Sequence, residues 1–245
     1  NLKVNNTNAS GASLTTGGAT VTTLTIGDVS PTAIFADAGF TLTPSGSSVL
    51  NLTGTYKLGS ATVGTSFPSF TTKNINTGST VEYAAAVSQT IDSSVSYYNL
   101  STSGAVAKTV GFALNLPGNL TVAGGNLTLG AFTHTITGNI SATTVSVIIA
   151  TGGYLNIAGN VTGTGSIGSE STVASSTIAF IGGAAQTFSA SGGEATYNLA
   201  INKTSGTTLS ITAGSHFIYN NIDVNSGILS IAGVNFNTQL VTGTT

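Results

Sequence analysis

The sequence predicts an all-β chain, a right-handed parallel β-helix (β-solenoid), with an antiparallel β-sandwich as the alternative. Three observations carry that expectation. Short runs alternate apolar and polar residues, similar segments recur about a hundred positions apart, and Gly, Asn or Ser-Gly closes the runs.

The alternation comes first. Val21-Thr22-Thr23-Leu24-Thr25-Ile26 stops at Gly27, and Val49-Leu50-Asn51-Leu52-Thr53 stops at Gly54. Asn119-Leu120-Thr121-Val122, Asn126-Leu127-Thr128-Leu129 and Thr133-His134-Thr135-Ile136-Thr137 follow the same rule, as do Tyr154-Leu155-Asn156-Ile157, Leu209-Ser210-Ile211-Thr212 and Ile228-Leu229-Ser230-Ile231. Each places apolar side chains on one face and Thr, Ser or Asn on the other, the period of a half-buried strand. No stretch has helical periodicity.

The recurrence favours stacked coils over a sandwich. Thr80-Val81-Glu82-Tyr83, Ser88-Gln89-Thr90-Ile91 and Tyr98-Asn99-Leu100 return as Thr177-Ile178-Ala179-Phe180, Ala185-Gln186-Thr187-Phe188 and Tyr197-Asn198-Leu199. The stretch from Asn119 to Leu129 reads again from Asn221 to Ile231, and a fainter copy spans Ile34 to Leu52. Asn-Leu pairs at Asn51, Asn99 and Asn198 suggest a unit of about 50 residues, two to three coils each. With ~20 residues per coil and strands ~4.8 Å apart, residues 1–245 would form a single rod on the order of 50–60 Å long. Val63 to Ser79, with Phe67-Pro68-Ser69-Phe70, breaks the alternation and is expected to leave the coil as a loop over one face.

Composition narrows the function classes. Ser, Thr, Asn and Gly supply 126 of 245 residues, charged residues only 5 %, and Arg, Cys, Met and Trp are absent. With 40 % hydrophobic residues and a net charge of −2, the chain lacks the low-hydrophobicity, high-charge signature of disorder. The longest apolar stretch, Val145 to Ala150, is far shorter than the ~20 residues of a membrane-crossing helix. Seven Tyr and no Trp would make thin girdles for an outer-membrane barrel. Five Lys cannot build the basic stripe that nucleic acid requires. Without Cys there is neither a disulfide scaffold nor a thiolate metal site. A start at Asn1 without a charged-then-apolar leader reads as a mature form or a fragment, and the hydroxyl-rich, charge-poor character suits an extracellular or cell-surface location.

The search for chemistry comes back empty, so no catalytic, cofactor-binding or metal residue is assigned and the chain is read as a non-enzyme. The carboxylates Asp28, Asp37, Glu82, Asp92, Glu170, Glu194 and Asp223 are scattered, and no glycosidase pair can be picked out. His134 and His216 have no short-spaced ligand partner and are expected to face outward from strands. Glycines 163, 165 and 168 lack the Lys and helix of a phosphate loop, so they read as corners. Nine Asn-x-Ser/Thr sequons follow from the Asn- and Thr-rich composition. Gln89 and Gln186 are expected to ladder across coils, and Tyr97, Tyr98 and Tyr197 to fill the core or stack along a face.

The pattern Thr80-Val81-Glu82-Tyr83, Ser88-Gln89-Thr90-Ile91, Tyr97-Tyr98-Asn99-Leu100, Gly118-Asn119-Leu120-Thr121-Val122 and 197–206 resembles the repeats of large β-helical surface proteins. These are adhesins exported by bacterial type IX secretion, gliding-motility filament adhesins among them. The likeness covers 79–240 well and 32–59 weakly, and no secretion-signal domain is seen at Leu240 to Thr245. It implies a non-catalytic, extracellular, parallel β-helix that holds surfaces, polysaccharide or its own kind, and it offers no catalytic residues. The expected function is therefore a structural or adhesive part of a fibre that self-associates end to end. The alternative is an ice- or polysaccharide-binding face built from Thr-x-Thr at 23–25, 41–43, 133–135 and 135–137. A polysaccharide lyase or hydrolase ranks last.

Overall fold

A computed structural model describes residues 1–169 and 175–238; Glu170 and the C-terminal stretch 239–245 lie outside the described residues. The described chain is a parallel β-solenoid of about eleven turns, without a helix. Every strand pairing is parallel, which disposes of the sandwich alternative. Each full coil offers three strand positions. The first face begins with Leu2–Val4, the second with Ala12–Ser13 and the third with the front half of Ala19–Ile26. The second face is the most regular, an eleven-stranded sheet that runs from Ala12–Ser13 to Ile228–Ile231 in strict chain order. With ten spacings of ~4.8 Å between its strands, the stack is about 50 Å long. Among the described residues no helix is long and apolar enough to cross a membrane.

Alternation becomes burial as the sequence predicts. On the second face Leu100 sits over Leu120, then Ile140, Val161, Phe188 and Ile211, an unbroken inward column. These side chains are almost wholly buried, each contributing about 1.5–3 kcal/mol. Ser101, Thr121, Ser141 and Thr162, one position later, form an outward row on the same strands. A slip of one residue in any coil would exchange these two rows, so burial fixes the register.

The repeat has a different structural meaning from the one its spacing suggests. Thr80–Tyr83 and Asn99–Thr102 lie on the second face, whereas their echoes in Thr177–Gly182 and Glu194–Lys203 lie on the first. Gln89–Thr90 belongs to the third face and its echo Gln186–Phe188 to the second. The echo is thus one face short of five coils, and the ~50-residue unit is not a structural one. The structural period is the single coil, 19 residues from Val81 to Leu100 and 20 from Leu100 to Leu120. All three faces demand apolar side chains inward at every second position, so a segment transposed from one face to another still fits.

The excursion is shorter than the sequence reading makes it. Thr72–Ile75 is a strand paired with 49–52, so the strandless part runs over 59–71. It does more than cover a face. Phe67 and Phe70 are buried, and the Phe67 ring lies 5.7 Å from that of Tyr56, which in turn lies 5.6 Å from Phe35. The buried Asp37 carboxylate staples the segment down, accepting from Gly39 N at 2.9 Å, Gly59 N at 2.8 Å and the Thr65 hydroxyl at 2.5 Å.

Candidate functional site

The charged side chains are spent on the scaffold. Lys3 pairs with Asp28, and Lys57 reaches Glu82 on the next coil at 3.2 Å. Glu82 also accepts from Ser103 Oγ, Asp92 Oδ1 accepts from Ser94 N at 2.7 Å, and Asp223 accepts from Asn221 Nδ2 at 2.6 Å. Glu194 is the exception among the described carboxylates, with only the His216 imidazole beside it. Among the described residues no three His, Asp or Glu converge on a metal ion.

Both histidines face the core, where the sequence reading placed them outward. His134 Nδ1 accepts from Leu114 N at 3.2 Å, so Nε2 carries the proton and donates to Gly130 O at 2.9 Å. Burial, only partly offset by that carbonyl, pushes the His134 pKa below its ordinary 6.5 and keeps the ring neutral. His216 Nε2 donates to Ala213 O at 2.9 Å, and its Nδ1 lies 3.5 Å from Glu194 Oε2, both side chains fully buried. The period puts His134 on the side of Ile136, whereas Ser215-His216-Phe217-Ile218, apolar on both faces, reads equally well in either register.

Two buried lysines went unremarked in the sequence. Lys108 Nζ donates to Ala85 O and Val106 O, each at 2.7 Å, and Lys203 Nζ donates to Ala184 O at 2.7 Å and to Gln186 Oε1. Burial pulls both amines below their ordinary pKa of 10.5. The signal was there to read: each follows a Gln-Thr pair by about one coil, Gln89 to Lys108 and Gln186 to Lys203. The glutamines themselves, on different faces, form no ladder. Gln89 bridges Thr65 O at 3.0 Å and Ala85 N at 3.0 Å, while Gln186 Nε2 donates to Ile157 O at 3.0 Å and Gly159 O at 2.7 Å.

The ladder is built of asparagine instead. Asn99 Oδ1 accepts from Asn119 N at 2.7 Å, Asn119 Oδ1 from Asn139 N, and Asn139 Oδ1 from Asn160 N, the last two at 2.8 Å. Asn160 Oδ1 then takes Thr187 N at 2.8 Å. This column lies at the entry to the second face and explains four of the Asn-x-Ser/Thr positions as corner chemistry. Asn139→Ala is expected to cost about 1 kcal/mol, since the exposed Asn160 N–H can turn to water. A urea titration measures it.

Tyr97 enters the core, its hydroxyl 2.7 Å from both Tyr83 Oη and Asp92 O, whereas Tyr98 and Tyr197 are half-buried. Burial raises the Tyr83 hydroxyl to about 12. The Thr-x-Thr pairs do not align. Thr25 is followed by Asn51, and Thr135 lies between Asn115 and Asn156. Surface grooves of about 460–490 Å³ have no convergent titratable groups; the deepest charge beside one, Glu194, is turned into the core. The second face presents an outward row of hydroxyls, whereas that of the third runs from Thr128 to Ile148, Gly168, Ala195 and the exposed Phe217.

No family model, no curated protein and no solved structure matches the chain.

Proposed function

We propose that the chain is a non-catalytic structural or adhesive element of an extracellular fibre, extended by end-to-end contact between solenoids. The observation that carries this reading is where the ionisable groups go. Lys108, His134, Glu194, Lys203 and His216 are buried and bond within or between coils, leaving outward rows of Ser, Thr and Asn. Such a surface has few charged side chains among the described residues to attract counter-ions. The outermost described strands support extension. Leu2–Val4 and Ala12–Ser13 at one end, and Ile228–Ile231 at the other, each pair on one side only among the described residues. Open strand edges template further strands, and a head-to-tail contact that does not close grows into a filament. The Thr-lattice alternative loses its support because the Thr-x-Thr pairs do not stack.

Negative-stain microscopy of the purified chain tests the proposal. Rods about 50 Å long, joined into longer filaments as concentration rises, are expected. Single rods that never associate at any concentration would overturn the end-to-end reading.

A further inference from the structure

We propose that Glu194 and His216 form a protonation latch that closes the C-terminal coils of the stack at mildly acidic pH and loosens them in alkali. The two residues are direct register partners on the third face, in the inward column that reads Leu127, Val147 and Ile167 before them and Phe236 after. Three aliphatic rungs separate the pair from Lys108 earlier in the same column, and only one further described strand, Asn235–Thr238, covers it. Coils near the end of a stack have few neighbours and open more easily than those in the middle.

The geometry leaves this pair one proton to share. His216 Nε2–H is committed to Ala213 O, and Nδ1 faces Glu194 Oε2 at 3.5 Å. Among the described residues neither carboxylate oxygen has another partner. The Phe188 ring meets the imidazole edge-on at 5.0 Å and Phe236 stacks on it at 5.8 Å, so water is kept out and the last coil rests on the ring itself. One shared proton makes the buried pair neutral overall. Its removal leaves an uncompensated carboxylate in an apolar column, and buried unpaired charge is strongly destabilising.

The direction follows from proton counting. Burial, the largest influence, raises the Glu194 pKa, and His216 only partly offsets it. Burial lowers His216, but its bonds to Glu194 and Ala213 O outweigh this and leave it raised above 6.5. Groups with raised folded-state pKa contribute stability that is present below the unfolded values and lost as pH rises through the folded ones. Between 6.5 and the raised folded-state value, the unfolded chain releases the proton while the folded pair keeps it, so the opening equilibrium rises by up to about tenfold per pH unit across that window. Among the described residues no third charge acts on either group. Asp223 on the His216 strand is exposed, and Lys203 on the Glu194 strand, lowered by burial, works in the opposite direction.

Hydrogen exchange on the whole chain at pH 6.5 and 8.5, corrected for intrinsic exchange rates, tests the latch. Amides of 208–238 are expected to open up to about 100-fold more often at pH 8.5, while those of 115–157 change far less. Glu194→Gln, whose amide can still donate to Nδ1 but cannot ionise, is expected to abolish the difference. The double variant Glu194→Leu/His216→Phe continues the apolar column and is expected to stay closed at both pH values. An alkaline opening that persists in either variant, or one spread evenly along the rod, would overturn the proposal.

Discussion

Gly163→Ala is expected to destabilise the solenoid by about 4 kcal/mol or more, the size of effect reserved for backbone collisions. At Gly163 φ is +113°, and a Cβ there would lie 2.0 Å from Ala142 O on the coil before. No side chain can swing away, since the obstacle is backbone. Relief requires the two coils to separate at a corner, and Ala142 N and C crowd the same position. Gly17→Ala is the matching control. Gly17 also has positive φ, +68°, but nothing lies within 4 Å of its added Cβ, so only the left-handed conformation is charged, about 1–2 kcal/mol. Urea titrations of the two variants separate a glycine needed for close stacking from one needed only for its turn. Equal losses would show that coil separation costs little.

The contrast between these glycines shows what the sequence could and could not reveal. Both stand in Gly-rich punctuation between alternating runs, and both were legible as corners. Which corner presses on the coil behind depends on how coils of unequal length are phased. That phase runs from 19 residues at Val81–Leu100 to 27 at Val161–Phe188. The strands themselves were readable because a period of two is local. The ~20-residue coil was readable from strand and corner lengths. The echo misled because its copies at 80–83 and 177–180 share a pattern that every face requires, so likeness in sequence says strand without saying which side. The inward histidines were missed because polarity was given precedence over period: His134 shares a face with Ile136, and Phe217 made the face of His216 ambiguous. His134 and His216 are inside because corner carbonyls of Gly130 and Ala213 and the Glu194 carboxylate need donors there.

The buried lysines carry the same logic to its strongest test. Lys108→Met and Lys203→Met are each expected to cost about 2–4 kcal/mol. Methionine keeps the apolar stem and removes only the ammonium, so packing changes little. What is lost is the donor that holds two acceptors at once, Ala85 O and Val106 O in one case, Ala184 O and Gln186 Oε1 in the other. Each buried acceptor left unpaired costs about 1–3 kcal/mol, while relief of the amine's desolvation returns part of that. The balance depends on pH, and its sign is fixed. Burial lowers both lysine pKa values from 10.5, so below that value the unfolded chain binds more protons than the folded one. The lysines' contribution to wild-type stability therefore rises with pH toward 10.5, opposite in sign to that of the Glu194–His216 pair, and each Met variant lacks this gain for the lysine it has lost. Urea midpoints at pH 7 and 9.5 should show the gap between wild type and variant widening. A gap that closes instead would mean that the ammonium's hydrogen bonds, and with them its charge, are worth more than its burial costs.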